Sequence, residues 1–237
     1  KMRSLFYLCI KHFFFDFLSP YSFLAWQWLY QEHEKLQLSG VQVHLRPVPM
    51  AIIIKKFVDK GPGEIPPKRD FLFKVVLNRA KALNISLACP PKIPFDSYPA
   101  LRILASLTEH SRQMDFGHEV FSAIWGQGFL PTEELLSKIL NSVLPPLSAQ
   151  EAQQRAQARE TSIMMKGFIK EAYEYGVFGV PSFVLASKDG ATVAELFWGH
   201  DAISALQTAI IGEAWYNQVE YAKFTEALGG NQDRPHE

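Results

Sequence analysis

Phe13-Phe14-Phe15-Asp16-Phe17-Leu18-Ser19-Pro20-Tyr21-Ser22 is the stretch of this 237-residue chain that decides the fold. Its aromatic run predicts a buried central strand from His12 to Leu18. Ser19-Pro20 ends the strand and a helix begins at Tyr21, because serine favours the N-cap and proline the first helical position. A hydroxyl therefore stands at a strand-to-helix turn, where unpaired amides and the helix dipole stabilise an anion.

A second segment, Val180-Pro181-Ser182, places a proline just before a short strand, where a missing amide costs no ladder hydrogen bond. A serine at a strand-to-helix turn, faced by a proline-marked backbone, is the layout of a thioredoxin-fold thiol site. That layout predicts a cis bond before Pro181, which turns the Val180 amide and carbonyl toward an extended peptide. The local alternatives are a serine that only caps the helix and an ordinary trans proline.

Redox proteins with this fold carry Cys-x-x-Cys where this chain has Ser19 and Ser22. Two serines cannot form a disulfide, so a dithiol oxidoreductase is disfavoured. The site is predicted instead to hold and polarise a thiol that another molecule brings, because thiolates at helix N-termini have lowered pKa values.

The order of the predicted elements agrees with an α/β, thioredoxin-like fold. A strand over 41–46 completes a β-α-β unit with the first strand and helix. Two further strands at 182–186 and 194–198, joined by a turn at Lys188-Asp189-Gly190, precede a helix over 202–211. The long segment between these two halves lacks strand patterning.

We predict that residues 12–49 and 168–237 form the thioredoxin-like domain. Residues 50–167 are predicted to form an all-helical insertion domain that covers the substrate site. Its helices are predicted at 101–110, 116–126 and 132–142, after a Gly/Pro loop at 59–68. Ser148 and Glu151 predict a capping box for one more helix.

Composition limits the class of protein. Hydrophobic residues make up 48% of the chain, and 24 basic residues balance 24 acidic ones. That balance gives no electrostatic footprint for nucleic acid or an anionic membrane, and no run approaches the ~18 apolar residues of a membrane span.

The two cysteines form no disulfide framework, so a reducing, cytoplasmic location is expected. The seven histidines form no metal-binding motif, and no metal is expected.

Residues 1–11 contain an apolar segment at 4–10 that follows Lys1 and Arg3. The segment is at the lower limit for the core of a signal peptide, and no small-residue cleavage site follows it. An N-terminal extension or a wrongly called start is therefore favoured over a signal peptide.

Other residues have a structural and a functional interpretation each. Asp201, in Gly199-His200-Asp201, suits the N-cap of the last helix, or it recognises an α-amino group while His200 lies near a carboxylate. Trp125 suits the core, or it forms a wall against a planar substrate. Lys68, in the Gly/Pro loop, is by itself a solvated cation.

Three motifs in order resemble one family. They are Phe15-Asp16-Phe17-Leu18-Ser19-Pro20-Tyr21-Ser22, Val177-Phe178-Gly179-Val180-Pro181-Ser182 and Phe197-Trp198-Gly199-His200-Asp201. Together they resemble the 2-hydroxychromene-2-carboxylate isomerase family, a bacterial branch related to kappa-class glutathione transferases and, more distantly, to DsbA. The resemblance covers about residues 12 to 215.

The resemblance implies that glutathione is the cofactor and that Ser19 is the catalytic residue, which touches the glutathione sulfur and favours its thiolate. It implies that the backbone of Val180, beside Pro181, pairs with the cysteinyl part of glutathione. The helical insertion covers an aromatic substrate, with Trp125 and Tyr21 as the substrate wall.

The resemblance also assigns the two ends of glutathione. Asp201 with His200 binds the γ-glutamyl end, Lys68 lies near the glycyl carboxylate, and Asp59 is a further contact. The family often has asparagine where this chain has His200 and Asp59. Its isomerases often carry Asp-x-x-Arg-Trp in the helix after the Lys68 loop, and residues 75–80 lack that run.

The function that the resemblance implies is a glutathione-dependent isomerase of 2-hydroxychromene-2-carboxylate, acting as a homodimer in aromatic catabolism. Two alternatives remain open. One is a kappa-like glutathione transferase or peroxidase that acts on electrophiles, and the other is a non-catalytic thioredoxin-fold binding protein.

Overall fold

The computed structural model describes residues 8–187 and 194–228. Four strands in this part form one sheet: β1 (Leu8–Phe15), β2 (Leu45–Pro47), β3 (Ser182–Ser187) and β4 (Glu195–Trp198). The strand order is β2-β1-β3-β4, with β1 and β2 parallel and the other two pairs antiparallel. The predicted α/β, thioredoxin-like fold is confirmed. The predicted turn at Lys188-Asp189-Gly190 lies outside the described residues.

The helices of the described chain are α1 (Pro20–Leu38), α2 (Met50–Lys55), α3 (Pro66–Ala82), α4 (Tyr98–Ser106), α5 (His110–Phe121), α6 (Glu133–Val143), α7 (Pro146–Gln157), α8 (Arg159–Glu174), α9 (Ile203–Ile210) and α10 (Gln218–Leu228). Single turns of 3-10 helix occur at Pro62–Glu64 and His200–Ala202, and a π-helical turn at Ser122–Gly126. Helices α2 to α8 follow β2 and precede β3, as predicted for a helical insertion. The predicted domain boundaries near residues 50 and 167 stay a prediction.

β1 is buried on both faces, which explains its uninterrupted aromatic run. Side chains alternate across a strand, so Phe13 and Phe15 enter the large core while Phe14 enters a smaller cluster on the opposite face. All three rings are fully buried. A strand covered on both sides needs apolar residues at every position.

The bounds of β1 and β2 differ from the prediction. β1 includes Leu8, the first described residue, which pairs with Ser187 of its antiparallel partner β3. Part of the predicted N-terminal extension therefore belongs to the sheet. β2 is limited to three residues, because it pairs with β1 only from Phe13 to Phe15 and residues 41–44 run outside the ladder.

Several helix bounds also differ. α4 ends at Ser106, and the predicted helix over 116–126 is the end of α5 followed by the π-helical turn. The capping box at Ser148 was wrong, because α7 starts at Pro146, where proline is favoured at the first helical position. The predicted Gly/Pro loop is shorter than expected, since α3 begins at Pro66.

The thioredoxin-like half and the insertion share one core. The ring of Phe121, at the end of α5, lies 4.6 Å from that of Phe17 and 5.4 Å from that of Trp26, measured between centroids. Phe15 contacts both Trp26 and Phe121. Each buried aromatic ring removes a large apolar surface from water, so the turn after β1 is packed directly against the helical insertion.

Candidate functional site

Ser19 is the N-cap of α1, with Pro20 at the first helical position. Its Oγ accepts a hydrogen bond of 3.1 Å from the Ser22 amide, and the residue is only 4% exposed. The cap prediction is therefore confirmed. The Ser19 proton has no acceptor among the described residues, so the hydroxyl keeps a donor for a ligand while it caps the helix.

A buried carboxylate holds the turn that carries Ser19. Asp16 accepts hydrogen bonds from the Leu18 amide (3.0 Å), the Met50 amide (2.7 Å) and the Ser97 hydroxyl (2.6 Å). Burial raises the pKa of Asp16 above its ordinary value, and these three hydrogen bonds oppose the rise. Sequence reasoning missed this role, although a lone acid within a phenylalanine run was its signal.

The backbone before β3 lies beside this turn. β1 and β3 pair Phe14 with Ser182, so the register brings Pro181 next to the end of β1. The Val180–Pro181 bond is cis, as predicted, and the Pro181 carbonyl accepts a 2.9 Å hydrogen bond from Gly199. The amide and carbonyl of Val180 have no backbone hydrogen bond to another described residue, which leaves them open to an extended peptide.

A cluster of polar side chains gathers at the first turn of α1. Arg79, on α3, places Nη2 3.5 Å from Oδ2 of Asp201. Burial raises the pKa of Tyr21, while the charge of Arg79 lowers it and that of Asp201 raises it. Burial and Arg79 lower the pKa of His200, which Asp201 opposes. The Tyr21 hydroxyl donates to the Leu72 carbonyl at 3.3 Å.

Gly199 leaves room for the side chain of Asp201. Its φ of 90° lies in the left-handed region, and a Cβ there would come within 2.6 Å of Asp201 Oδ1. The N-cap prediction for Asp201 was wrong, because a 3-10 turn over 200–202 precedes α9 and residue 201 lies inside it. Asp201 is thus free of a capping role and pairs with Arg79.

Three other predicted site residues lie apart from this cluster or within the core. Lys68 is exposed on the first turn of α3 rather than in a loop, because the helix starts at Pro66. Asp59 is exposed after α2. Trp125 is 1% exposed and its indole nitrogen donates to the Phe17 carbonyl at 2.8 Å, so it supports the Ser19 turn from within and is no exposed substrate wall.

An exposed aromatic pair lies next to the Val180 backbone instead. The rings of Phe178 and Trp198 are 4.8 Å apart, and both side chains are exposed. A Cβ at Gly179 would come within 2.7 Å of the Trp198 indole nitrogen, so glycine allows this contact. Sequence reasoning missed the pair as a surface, because its two residues come from separate segments.

A cleft of about 840 Å³ lies elsewhere, with residues of β2, α7 and α8 in its wall. His44, Arg46, His110, Arg155 and Phe168 line it, and none of the predicted site residues does. Its cations have partners already, since Arg46 pairs with Glu171 and Arg155 with Glu151. We place the candidate site at Ser19, because open donors and opposite charges converge there.

Two features that the described residues lack bear on other functions. Within 8–187 and 194–228, no three His, Cys, Asp or Glu side chains are grouped so that they could hold a metal ion. None of the helices in these ranges is both long and apolar enough to cross a membrane.

Fold and site together define a thioredoxin-like protein with a serine at the thiol position. The chain belongs to the family described as DSBA-like thioredoxin domain, whose model matches residues 12–211.

Individual relatives cover nearly the whole chain. A 2-hydroxychromene-2-carboxylate isomerase of Pseudomonas sp. (strain C18) is 28% identical, covering 89% of this chain and 95% of its own. Human glutathione S-transferase kappa 1 is 26% identical, with 87% and 92% covered. A solved 2-hydroxychromene-2-carboxylate isomerase superposes with a TM-score of 0.70 at 23% identity, covering 84% of this chain and 93% of the other.

Proposed function

We propose that this protein is a glutathione-dependent isomerase of the 2-hydroxychromene-2-carboxylate type. The observation that carries the proposal is the hydroxyl of Ser19, which is buried at a helix N-terminus. Its proton has no hydrogen-bond acceptor among the described residues. The isomerase relatives, matched over nearly their full length, support the reaction type.

The residues present fit a bound glutathione. Ser19 and the amide of Tyr21, at the start of α1, would hold its sulfur, the open backbone of Val180 its cysteinyl part, and Asp201 its α-ammonium group. Lys68, His200 and Asp59 stay proposed contacts. Bound glutathione would supply a thiolate for reversible addition to a conjugated double bond, which becomes single and free to rotate.

The contribution of the protein is electrostatic. A free thiol has a pKa of about 8.5, so most of it is protonated at neutral pH. The Ser19 hydroxyl donates to a bound sulfur, and the partial positive charge at the start of α1 favours its anionic form. Each unit by which the thiol pKa falls corresponds to about 1.4 kcal/mol of preferential binding of the thiolate.

An absorbance time course of 2-hydroxychromene-2-carboxylate with the purified protein, with and without glutathione, tests the proposal. We expect an approach to the equilibrium of the two isomers only when protein and glutathione are both present. Absence of any acceleration in the presence of both would overturn the isomerase assignment.

A kappa-like glutathione transferase or peroxidase is the second candidate. It is favoured by the human and rat kappa relatives at 26% and 23% identity and by the exposed aromatic pair of Phe178 and Trp198, which suits a flat electrophile. Accumulation of a stable conjugate from glutathione and chlorodinitrobenzene would distinguish it, because the isomerase regenerates its glutathione.

The assembly and location are part of the same proposal. We propose a homodimer that takes a small aromatic substrate in the cytoplasm, where glutathione is abundant and a chain with two cysteines stays reduced. Light scattering coupled to gel filtration tests the dimer, since a monomeric mass would contradict it.

A further inference from the structure

Arg79 is a cation at the candidate site that was not among the predicted site residues. It lies on α3, and its guanidinium faces the carboxylate of Asp201. Its Nε is buried, yet it has no hydrogen-bond acceptor in the described ranges. Buried arginine donors normally find partners, so this one is incompletely satisfied.

The contact between Arg79 and Asp201 is loose. Its 3.5 Å separation exceeds the ~2.7–2.9 Å of a direct charge-assisted hydrogen bond. Asp201 is the more exposed of the two side chains, and no capping bond occupies it. Both groups therefore keep bonding capacity that a ligand can use.

His200 does not supply the positive charge of this cluster at neutral pH. Burial lowers its pKa below the ordinary value, and the nearby Arg79 lowers it further. A neutral imidazole forms hydrogen bonds but adds no charge. The permanent cation beside Asp201 is therefore Arg79.

Adjacent opposite charges complement one kind of ligand group. An α-amino acid carries its ammonium and carboxylate on a single carbon, so two protein groups that bind them must be neighbours of opposite sign. We propose that Arg79 binds the α-carboxylate of the γ-glutamyl end of glutathione while Asp201 binds its α-ammonium group. This inference rests on the proposed function and adds to it a residue that selects the cofactor.

Calorimetric binding of two tripeptides to the full chain tests the proposal. One is glutathione, and the other is γ-aminobutyryl-cysteinylglycine, which keeps the amine and lacks the α-carboxylate. We expect Arg79→Gln to weaken glutathione binding about tenfold to a hundredfold, as for a lost hydrogen bond to a charged group. Binding of the second tripeptide should be unchanged.

Two further variants make the test specific. Lys81→Gln removes an exposed cation two residues further along α3, and it should bind both tripeptides like the wild type. Arg79→Lys keeps the charge and loses the planar fork, so it should retain part of the preference for glutathione. Circular dichroism of each variant verifies that the fold is intact.

The outcomes separate the inference from the proposed function. If Arg79→Gln weakens both tripeptides equally, or neither, Arg79 does not bind the α-carboxylate and the inference is overturned. A raised KM for 2-hydroxychromene-2-carboxylate with unchanged glutathione binding overturns it too, because Arg79 would then serve the other carboxylate. If the wild type binds neither tripeptide, the proposed function itself fails, and the inference with it.

Discussion

The hydroxyl of Ser97 donates a 2.6 Å hydrogen bond to Oδ1 of Asp16. This bond joins the start of α4 in the insertion to the turn that presents Ser19. The Met50 amide binds the other oxygen of the same carboxylate. One buried acid thus connects the proposed thiol site to two helices of the insertion.

Ser97→Ala should destabilise the protein in a pH-dependent way. Because burial raises the pKa of Asp16, its contribution to stability is greatest below the ordinary carboxyl pKa and falls as the pH rises through the raised value. Removing the Ser97 donor raises that pKa further. The loss in free energy of unfolding should therefore grow with pH, to about 1–3 kcal/mol once Asp16 is charged.

Urea unfolding of wild type and variant at a series of pH values measures this effect. Ser86→Ala, at an exposed serine of the loop after α3, is the matched control and should be neutral. A loss that is constant across the pH range would show that Ser97 acts independently of Asp16 ionisation.

Ser19→Ala should lower the rate of glutathione-dependent isomerisation about tenfold or more, since a hydrogen bond to a charged group contributes about 1.5–3 kcal/mol. It should also cost about 0.5–2 kcal/mol of stability through the lost cap. Thr132→Ala is the control, because Thr132 caps α6 by accepting from the Leu135 amide at 3.2 Å. It should lose stability and keep full activity. Equal activity losses in the two variants would reduce Ser19 to a structural role.

Gly117→Ala should destabilise the protein by about 1–3 kcal/mol through overpacking. Gly117 lies on α5, where an added Cβ would overlap the ring of Trp26 on α1. Gly167→Ala, on α8, adds the same methyl group with no atom within 4 Å, so it should be neutral or stabilise by about 0.5–1 kcal/mol. Thermal unfolding of both variants checks the contrast, which similar shifts in Tm would refute.

His12→Phe should make the free energy of unfolding depend less on pH under acidic conditions. Burial, with smaller effects of nearby cations, lowers the pKa of His12 from 6.5 to about 3. Between these values the unfolded chain takes up a proton that the folded chain does not, so stability is lost as the pH falls. The phenylalanine variant cannot take up that proton. Its free energy of unfolding, measured by urea titration, should decline less steeply, and an unchanged slope would contradict the assignment.

Local features of the sequence predicted the sheet and the first turn of the site well. The phenylalanine run required a strand buried on both faces, and Ser19-Pro20 required a helix start, because both depend on neighbouring residues only. The cis bond at Pro181 followed from the order of elements and is confirmed. These features need no knowledge of distant contacts.

Errors in helix bounds were local, whereas the contacts that the sequence did not predict at the site join distant segments. Asp201 is a residue type that is common at the N-cap, but the sequence did not show that its partner is Arg79, which lies on another helix. Trp125 suited the core more often than a substrate wall, and the hydrogen bond from its indole nitrogen to the Phe17 carbonyl places it in the core. A single sequence carries no signal for such pairs.

The aromatic contacts of Phe121 have a consequence for protein engineering. Grafting the helical block of a relative onto this sheet, in order to change substrate preference, would replace a ring that packs against Phe17 and Trp26. A chimera that exchanges only the helical block would therefore break the ring contacts that Phe121 makes with Phe17 and Trp26. Successful recombination needs the recipient residues around that ring to be exchanged together with the graft.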